Sequence, residues 1–332
     1  MPACSVIVVN WNGRHFLDAC LGSLRRQSFA DFEVILVDNG STDGSTDHVR
    51  EHHDWVELVA LPENRGFCGG NNEGIRRARG TCLALLNNDT EVDTDWLGEL
   101  VSAMERPQVG FCASQILLFD ERDTLDSAGD VFAINGVASK RGHLQEASRY
   151  AEPEEVFGAS AAAALYRRSM LEDIGVLDED FFLIFEDVDL SFRARNAGYR
   201  CVYVPTARVY HKTNASIGTY SHTYVYYGQR NLELVYLKNM PWPLFFKYLP
   251  VHLVYDLLAL VFFARHGRLW SFLQAKGSAL RSLPATLRKR RGIQARRVIS
   301  AKQLDRLLTR RWLSQRWAEK GPNYRRRTRS AS

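Results

Sequence analysis

The stretch TCLALLNNDT at residues 81–90 decides the fold. Cys82, Leu83, Ala84, Leu85 and Leu86 form an unbroken small and apolar run, as expected of a strand buried on both faces at the centre of a parallel sheet. The run stops abruptly at Asn87, Asn88 and Asp89. Open α/β sheets bind ligands in the crevice beyond the carboxyl ends of their strands, so these three residues stand where a ligand is expected. One carboxylate beside two amide oxygens is a hard donor set, suited to Mg²⁺ or Mn²⁺ carrying a diphosphate. Taken alone, a turn closing a strand explains the same residues more simply. The neighbouring segments reverse that balance.

Toward the N-terminus the same unit repeats. Residues 5–10 form a Val/Ile-rich strand followed by Asn12-Gly13 and an amphipathic helix; FEVILVD at residues 32–38 is a second buried strand, after which Ser45 is expected to cap a helix over residues 46–53. A third strand over residues 56–61 leads into ENRGFCGGNN, read as a Gly-rich loop at Gly66 to Gly70 before a helix ending at Gly80. Strand–helix alternation at this spacing predicts a Rossmann-like α/β fold, with a mostly parallel central sheet flanked by helices and a helical, basic C-terminal extension. One sheet edge then gathers Trp11, Asn12, Asp38, Asn39, Arg65, Gly69, Asn71 and Asp89. No Gly-Lys-Ser/Thr follows the Gly-rich segment and no Gly-x-Gly-x-x-Gly occupies the first turn, which argues against kinase and dehydrogenase chemistry.

Toward the C-terminus, residues 120–153 are polar and aperiodic, as in a long loop facing a second substrate. Residues 181–211, FFLIFEDVDLSFRARNAGYRCVYVPTARVYH, bring Glu186, Asp187 and Asp189 to a helix start behind an aromatic wall. Helix capping explains Asp189. Asp187 beside Phe181, Phe182 and Phe185 is expected to be desolvated, which raises its proton affinity and makes it the better base. His211 ends the next strand.

The net charge of +5 hides an asymmetry. From Arg265 onward the chain carries 20 of its 43 Lys and Arg residues but 2 of its 38 acidic ones, so this tail is net +18 and the body net −13. Such a tail suits anionic lipid headgroups or nucleic acid; with no recognised nucleic-acid module present, an anionic membrane surface is the expected partner and nucleic acid is not. Residues 241–264 are strongly apolar but hold Lys247, Pro250, His252 and Asp256, and so read as an interfacial hairpin or, as the alternative, a buried helix pair. Six scattered cysteines read as free buried thiols of a reducing cytoplasm, and no secretory signal precedes the first strand. The expected organisation is a catalytic domain at 1–240, a membrane-associating helical segment at 241–285 and a basic tail at 286–332, peripheral to the inner face of the cell membrane.

Together, SVIVVNWNG, VDNGSTDGS, ENRGFCGGNN, LLNNDT and FEDVDLSFRARNAGY followed by VYH resemble the inverting family-2 glycosyltransferases of GT-A fold, and among them the bacterial rhamnosyl- and galactofuranosyltransferases of cell-surface polysaccharide synthesis. The likeness spans residues 4–240. It implies that Trp11, Asn12, Asp38, Asn39, Arg65, Gly69, Asn71 and Asn88 face a nucleotide-sugar donor, with Asp38 accepting from a pyrimidine N3–H and Trp11 offering an aromatic face to the base. Asn87-Asn88-Asp89 stands at the family's Asp-x-Asp position, with Asn87 replacing one acid, so Asp89 would carry the metal with help from Asn87 and His211. Asp187 falls at the position of the catalytic base. The acceptor implied is a lipid-linked saccharide or polysaccharide; a homo-oligomer stays open. A nucleotidyltransferase, or a nucleic-acid-binding protein acting through the tail, is the rival reading.

Overall fold

The computed structural model describes residues 1–213 and 221–311. The N-terminal half builds β1 (Cys4–Asn10), α1 (Arg14–Arg25), β2 (Phe32–Asp38), α2 (Ser45–His52), β3 (Glu57–Ala60), α3 (Gly66–Arg77) and β4 (Cys82–Asn87). Then follow β5 (Thr90–Val92), α4 (Trp96–Ala103), β6 (Val109–Leu118), β7 (Glu121–Ser127), β8 (Asp130–Phe132), β9 (Ala138–Lys140), β10 (Glu154–Val156), β11 (Ala163–Arg167), α5 (Arg168–Ile174), α6 (Glu186–Asn196) and β12 (Arg200–His211). Five helices end the described chain: α7 (His222–Asn239), α8 (Trp242–Arg265), α9 (Leu269–Arg281), α10 (Leu283–Ala295) and α11 (Ala301–Leu307).

The large sheet runs β10-β12-β6-β11-β4-β1-β2-β3, with β5 added on β12 and β7 on β6. β3, β2, β1, β4, β6 and β12 share one direction; β11 runs against its neighbours β4 and β6. Apolar alternation explains the layering, because Val6 and Val8 enter the core under α1, α2 and α4 while Ile7 enters the core under α3, α5 and α6. Register aligns the strand ends: Asn10 sits beside Asp38, and Val9 beside Asn87.

Four expectations need correction. The segment at Gly66 to Gly70 is not a loop but the first turns of α3, which uses its glycines to lie against the sheet. A Cβ on Gly74 would come 2.4 Å from Ile7 Cγ2, and one on Gly70 2.8 Å from Val9 Cγ1. We therefore expect Gly74→Ala to lose about 1–3 kcal/mol through overpacking, partly offset by roughly 1 kcal/mol of helix propensity, as a lower denaturation midpoint with an unchanged slope. The helix cap beyond β2 is Gly44, in the left-handed region at φ 82°, and Ser45 instead donates to Asp43. Residues 120–153 are not aperiodic in space: β7 and the β8–β9 hairpin occupy them, their alternation obscured by buried charged residues such as Asp126 and Asp130.

The fourth correction concerns the C-terminal extension. Residues 242–265 form one continuous helix rather than a hairpin. Pro250 removes one helical hydrogen bond, but contacts on both sides anchor α8 around it: Tyr248 donates to Asp305 at 2.6 Å, and His252 Nδ1 lies 2.8 Å from the Asn135 carbonyl. Two of the polar residues that seemed to interrupt an apolar segment, His252 and Asp256, face inward, where they cluster with Glu233 and Lys276, while Lys247 stays exposed and pairs with Asp305. Residues beyond 286 also return to the domain. Thr309 exchanges backbone bonds with Phe132 and Ile134, and Leu304 and Leu308 enter the core. Lys289 pairs with Asp178 and Asp180, and Arg290 lies over the Trp242 ring at 3.7 Å, so half of the Arg288 to Arg291 cluster turns inward. The Arg325 to Arg327 cluster lies outside the described residues.

Candidate active site

Two distant parts of the chain meet at the end of β4. β12 runs twelve residues across the sheet, with a register break at Pro205 where no backbone donor is available, and its last residue pairs with β5: His211 lies opposite Thr90. His211 Nε2 thereby comes 3.3 Å from Asp89 Oδ1 and 3.5 Å from the Asn87 side-chain amide. Its other nitrogen, Nδ1, bonds Asp126 Oδ2 at 3.0 Å. Asp126 is 1% exposed and is held by Lys140 Nζ at 2.6 and 2.8 Å. Burial opposes charge on His211, but its hydrogen bonds to Asp126 and Asp89 outweigh that and push it up to about 9. Burial also disfavours an anionic Asp126, yet Lys140, His143 and His211 hold it well below the usual carboxylate range.

This donor set fits a divalent cation. Asp89 offers a carboxylate, and Asp126 fixes the imidazole so that Nε2 faces Asp89 as the available nitrogen, the arrangement by which outer carboxylates orient metal-binding histidines. A cation held by Asp89 and His211 would have to displace the proton from His211 Nε2. Sequence reasoning missed Asp126, whose DSAGD setting carried no helical or strand period. Asp126→Asn is expected to lower Mn²⁺ affinity by about 10–100-fold, measured by electron paramagnetic resonance of free Mn²⁺.

Asp187 approaches from the other side. The loop before α6 takes left-handed φ at Phe182 (62°), Ile184 (65°) and Phe185 (73°), conformations that cost bulky residues about 1–3 kcal/mol each. Buried Asn231 of α7 holds that loop by donating to the carbonyls of Phe181, Leu183 and Ile184 at 2.8–3.0 Å. Gly66 supplies the opposing surface, since a Cβ there would meet Phe182 Cδ2 at 2.5 Å. The result aims Asp187 into the cleft, where its carboxylate accepts from the Ala161 N–H at 3.1 Å and the Val188 N–H at 2.8 Å. Burial nevertheless raises its proton affinity above an ordinary aspartate's. Asp189 is no cap: fully buried, it bonds Arg193, Lys238 and Asn239 and ties α6 to α7.

Trp11, Asn39, Asn87, Asn88, Asp89, His211 and Asp187 line one cleft of about 860 Å³. A second chamber of about 520 Å³, walled by the β8–β9 hairpin, α7 and α8, joins it at Ser160, Ile184, Glu186 and Asp187. Five expected donor residues do not line the cleft. Asp38 is 1% exposed and accepts from Asn10 and the Ser41 N–H, so it braces the loop beneath Trp11. Asn12 shapes a turn by accepting from the Thr42 N–H, and the Arg65 guanidinium faces Glu73 and Glu179. Gly69 and Asn71 belong to α3, where Asn71 donates to the Phe67 carbonyl.

The family model of glycosyl transferase family 2 matches residues 5–175, more than half of the chain, from the second residue of β1 through β11. The chain belongs to glycosyl transferase family 2. The O-antigen biosynthesis protein RfbC of Myxococcus xanthus is 34% identical to this glycosyltransferase domain over 228 residues, 65% of this chain and 18% of RfbC. The N-acetylglucosaminyl-diphospho-decaprenol L-rhamnosyltransferase of Mycobacterium tuberculosis is 28% identical over 237 residues, 64% of this chain and 77% of that one. The chain spans 25% and 18% of the lengths of two curated relatives it matches, RfbC being the second. Among solved structures, GalNAc-T7 with UDP, GalNAc and Mn²⁺ superposes with a TM-score of 0.59 at 16% identity, covering 71% of this chain and 47% of that one. That likeness places the sheet of this family-2 domain among GT-A folds.

Proposed function

We propose that the protein is an inverting, metal-dependent glycosyltransferase that moves a sugar from a nucleoside-diphosphate donor to a hydroxyl of a lipid-linked or polysaccharide acceptor in cell-envelope glycan synthesis. The observation that carries this reading is Asp187 at the junction of two chambers, with Asp89 and His211 across the first of them. Trp11, 49% exposed at the cleft mouth, offers a face on which a base can stack. A divalent cation held by Asp89 and His211 would supply charge stabilisation for the departing diphosphate, as Mn²⁺ accompanies UDP in GalNAc-T7. Asp187 takes the proton of the acceptor hydroxyl as its oxygen bonds the anomeric carbon and the carbon–phosphate-oxygen bond breaks on the opposite face. One displacement inverts the configuration. The L-rhamnosyl transfer in the mycobacterial relative's name makes a nucleoside-diphosphate rhamnose the first donor to test. Turnover of a panel of dTDP- and UDP-sugars, read as released nucleoside diphosphate, tests the reading; no release from any of them with Mn²⁺ present would refute it.

The extension supports a membrane-side acceptor. α8 has a mean hydropathy of 1.6 over its most apolar window, 28% of it buried, and is long and apolar enough to cross a membrane by length and composition. It exposes Phe246, Leu253, Leu257 and Leu258, α9 exposes Trp270 and Leu280, and Arg265, Arg281, Arg288 and Arg291 of α8 to α10 are exposed as well. Helices that expose both apolar side chains and arginines suit the interface of an anionic leaflet. The protein is expected to float with phosphatidylglycerol vesicles, and Leu257→Glu with Trp270→Glu to leave it in the soluble fraction.

A further inference from the structure

Away from both chambers, the packing of α2 beside α1 brings three ligand-type side chains to one point. Asp18 stands on the exposed side of α1, while its neighbours Leu17 and Leu21 enter the core. His48 of α2 and His53, just past the end of that helix, both reach it. Each presents Nε2 at 2.8 Å from the same atom, Asp18 Oδ1, across 30 and 35 residues of sequence. None of the three lines the donor cleft or the chamber beside it.

Two imidazoles and one carboxylate are the donor types of a zinc site with three protein ligands. An ion about 2.0–2.2 Å from three tetrahedral ligand atoms spaces those atoms about 3.4 Å apart, so the 2.8 Å contacts need open by only about 0.6 Å. The three atoms already lie within 4.8 Å of one another. His48 Nδ1 is buried without a partner, so what Nε2 meets decides where that ring carries its proton. Both imidazole side chains are 11% exposed, whereas the Asp18 side chain is 69% exposed and leaves a fourth position open to water. His53 also follows the last turn of α2, where the helix dipole favours a cation.

A second group of ligand-type atoms, Glu233, His252 and Asp256, is already served by a cation of the chain. Lys276 Nζ bonds Asp256 at 2.7 Å and also bonds Glu233. Among the described residues no lysine or arginine pairs with Asp18.

We propose that Asp18, His48 and His53 form a metal site separate from the one at Asp89, and that it takes Zn²⁺. Imidazole suits Zn²⁺, whereas Mg²⁺ and Mn²⁺ favour oxygen ligands. The ion clips α2 to α1 next to residues 41–43, where Ser41 Oγ accepts from the Asn12 N–H and Asp43 from the Arg14 N–H. Its work is structural, because an ion bound by the folded chain alone stabilises that chain.

The test uses the full chain without a histidine tag, carrying Asp89→Ala so that the cleft does not compete for the ion. Zn²⁺ is titrated against a chromophoric chelator, and Co²⁺ is added separately as a spectroscopic substitute. One Zn²⁺ per chain is expected, with a visible tetrahedral Co²⁺ band that Zn²⁺ abolishes and a thermal midpoint that rises with Zn²⁺ but not with Mg²⁺. His48→Gln and His53→Gln, each added to that background, should lower Zn²⁺ affinity about tenfold or more, since loss of a mere outer partner of a ligand costs about 10–100-fold. Asp18→Asn, at an exposed position, should do the same, and it decides the matter where a histidine variant loses its fold by circular dichroism. No Zn²⁺ bound, an unchanged Zn²⁺ affinity in a folded variant, or an equal midpoint rise with Mg²⁺ overturns the site.

Discussion

Asp187→Asn is expected to lower sugar transfer by about 10²–10⁴-fold, the usual contribution of a positioned base, while nucleotide affinity stays within about twofold. The amide keeps the shape of the carboxylate and can still accept from the Val188 or Ala161 N–H, so the strained loop held by Asn231 keeps its path. What it loses is the capacity to take a proton. The pH profile gives a second reading of the same group. A base acts only when deprotonated, and burial raises the proton affinity of Asp187, so wild-type activity should fall on the acid side at a pH above the ~3.9 of a solvated aspartate. The variant's residual activity should lack that limb. Transfer by Asp187→Asn at a near wild-type rate, with inverted product, would remove Asp187 from the mechanism.

The second large effect is expected from Asp89→Ala: Mn²⁺ affinity falling about 100-fold or more, and metal-dependent nucleotide binding lost with it. Asp89 is the sole carboxylate of the three residues that end β4, because Asn87 and Asn88 carry none. Asn88 is further committed, donating to Asn10 Oδ1 at 2.7 Å. Calorimetric titration of UDP or dTDP with and without Mn²⁺ measures the coupling directly. An unchanged Mn²⁺ increment in the variant would show that the cation sits elsewhere. His211→Ala should give the same pattern at smaller size, since it removes a neutral ligand and leaves the carboxylate.

Much of this site was legible because chemistry and local structure coincide in short segments. The run from Cys82 to Leu86 ending at Asn87 can only be a central strand with a polar end, and Asp187 follows an aromatic cluster that must desolvate it. Residues whose work is done through partners far along the chain were not legible. Asp38 and Arg65 stand at the right edge, yet whether a side chain reaches a ligand or braces a neighbour depends on Asn10, Ser41, Glu73 and Glu179. Gly69 and Asn71 looked like loop residues because glycine normally disfavours helices; close packing of α3 on Ile7 and Val9 overrides that propensity.

The sequence by itself determined the family, the alternation of strands and helices through β4, and the carboxyl-end location of the cleft that Asp89 and Asp187 line. These follow from periodicity and from motifs whose spacing is local. Only the tertiary structure decided that His211 meets Asp89, that Asp126 and Lys140 stand behind them, and that α8 is one helix across Pro250. Most of those depend on pairings between segments far apart in the chain, such as His211 with Asp126 and His252 with Asn135, where side-chain packing and burial, rather than any local preference, select one arrangement from many.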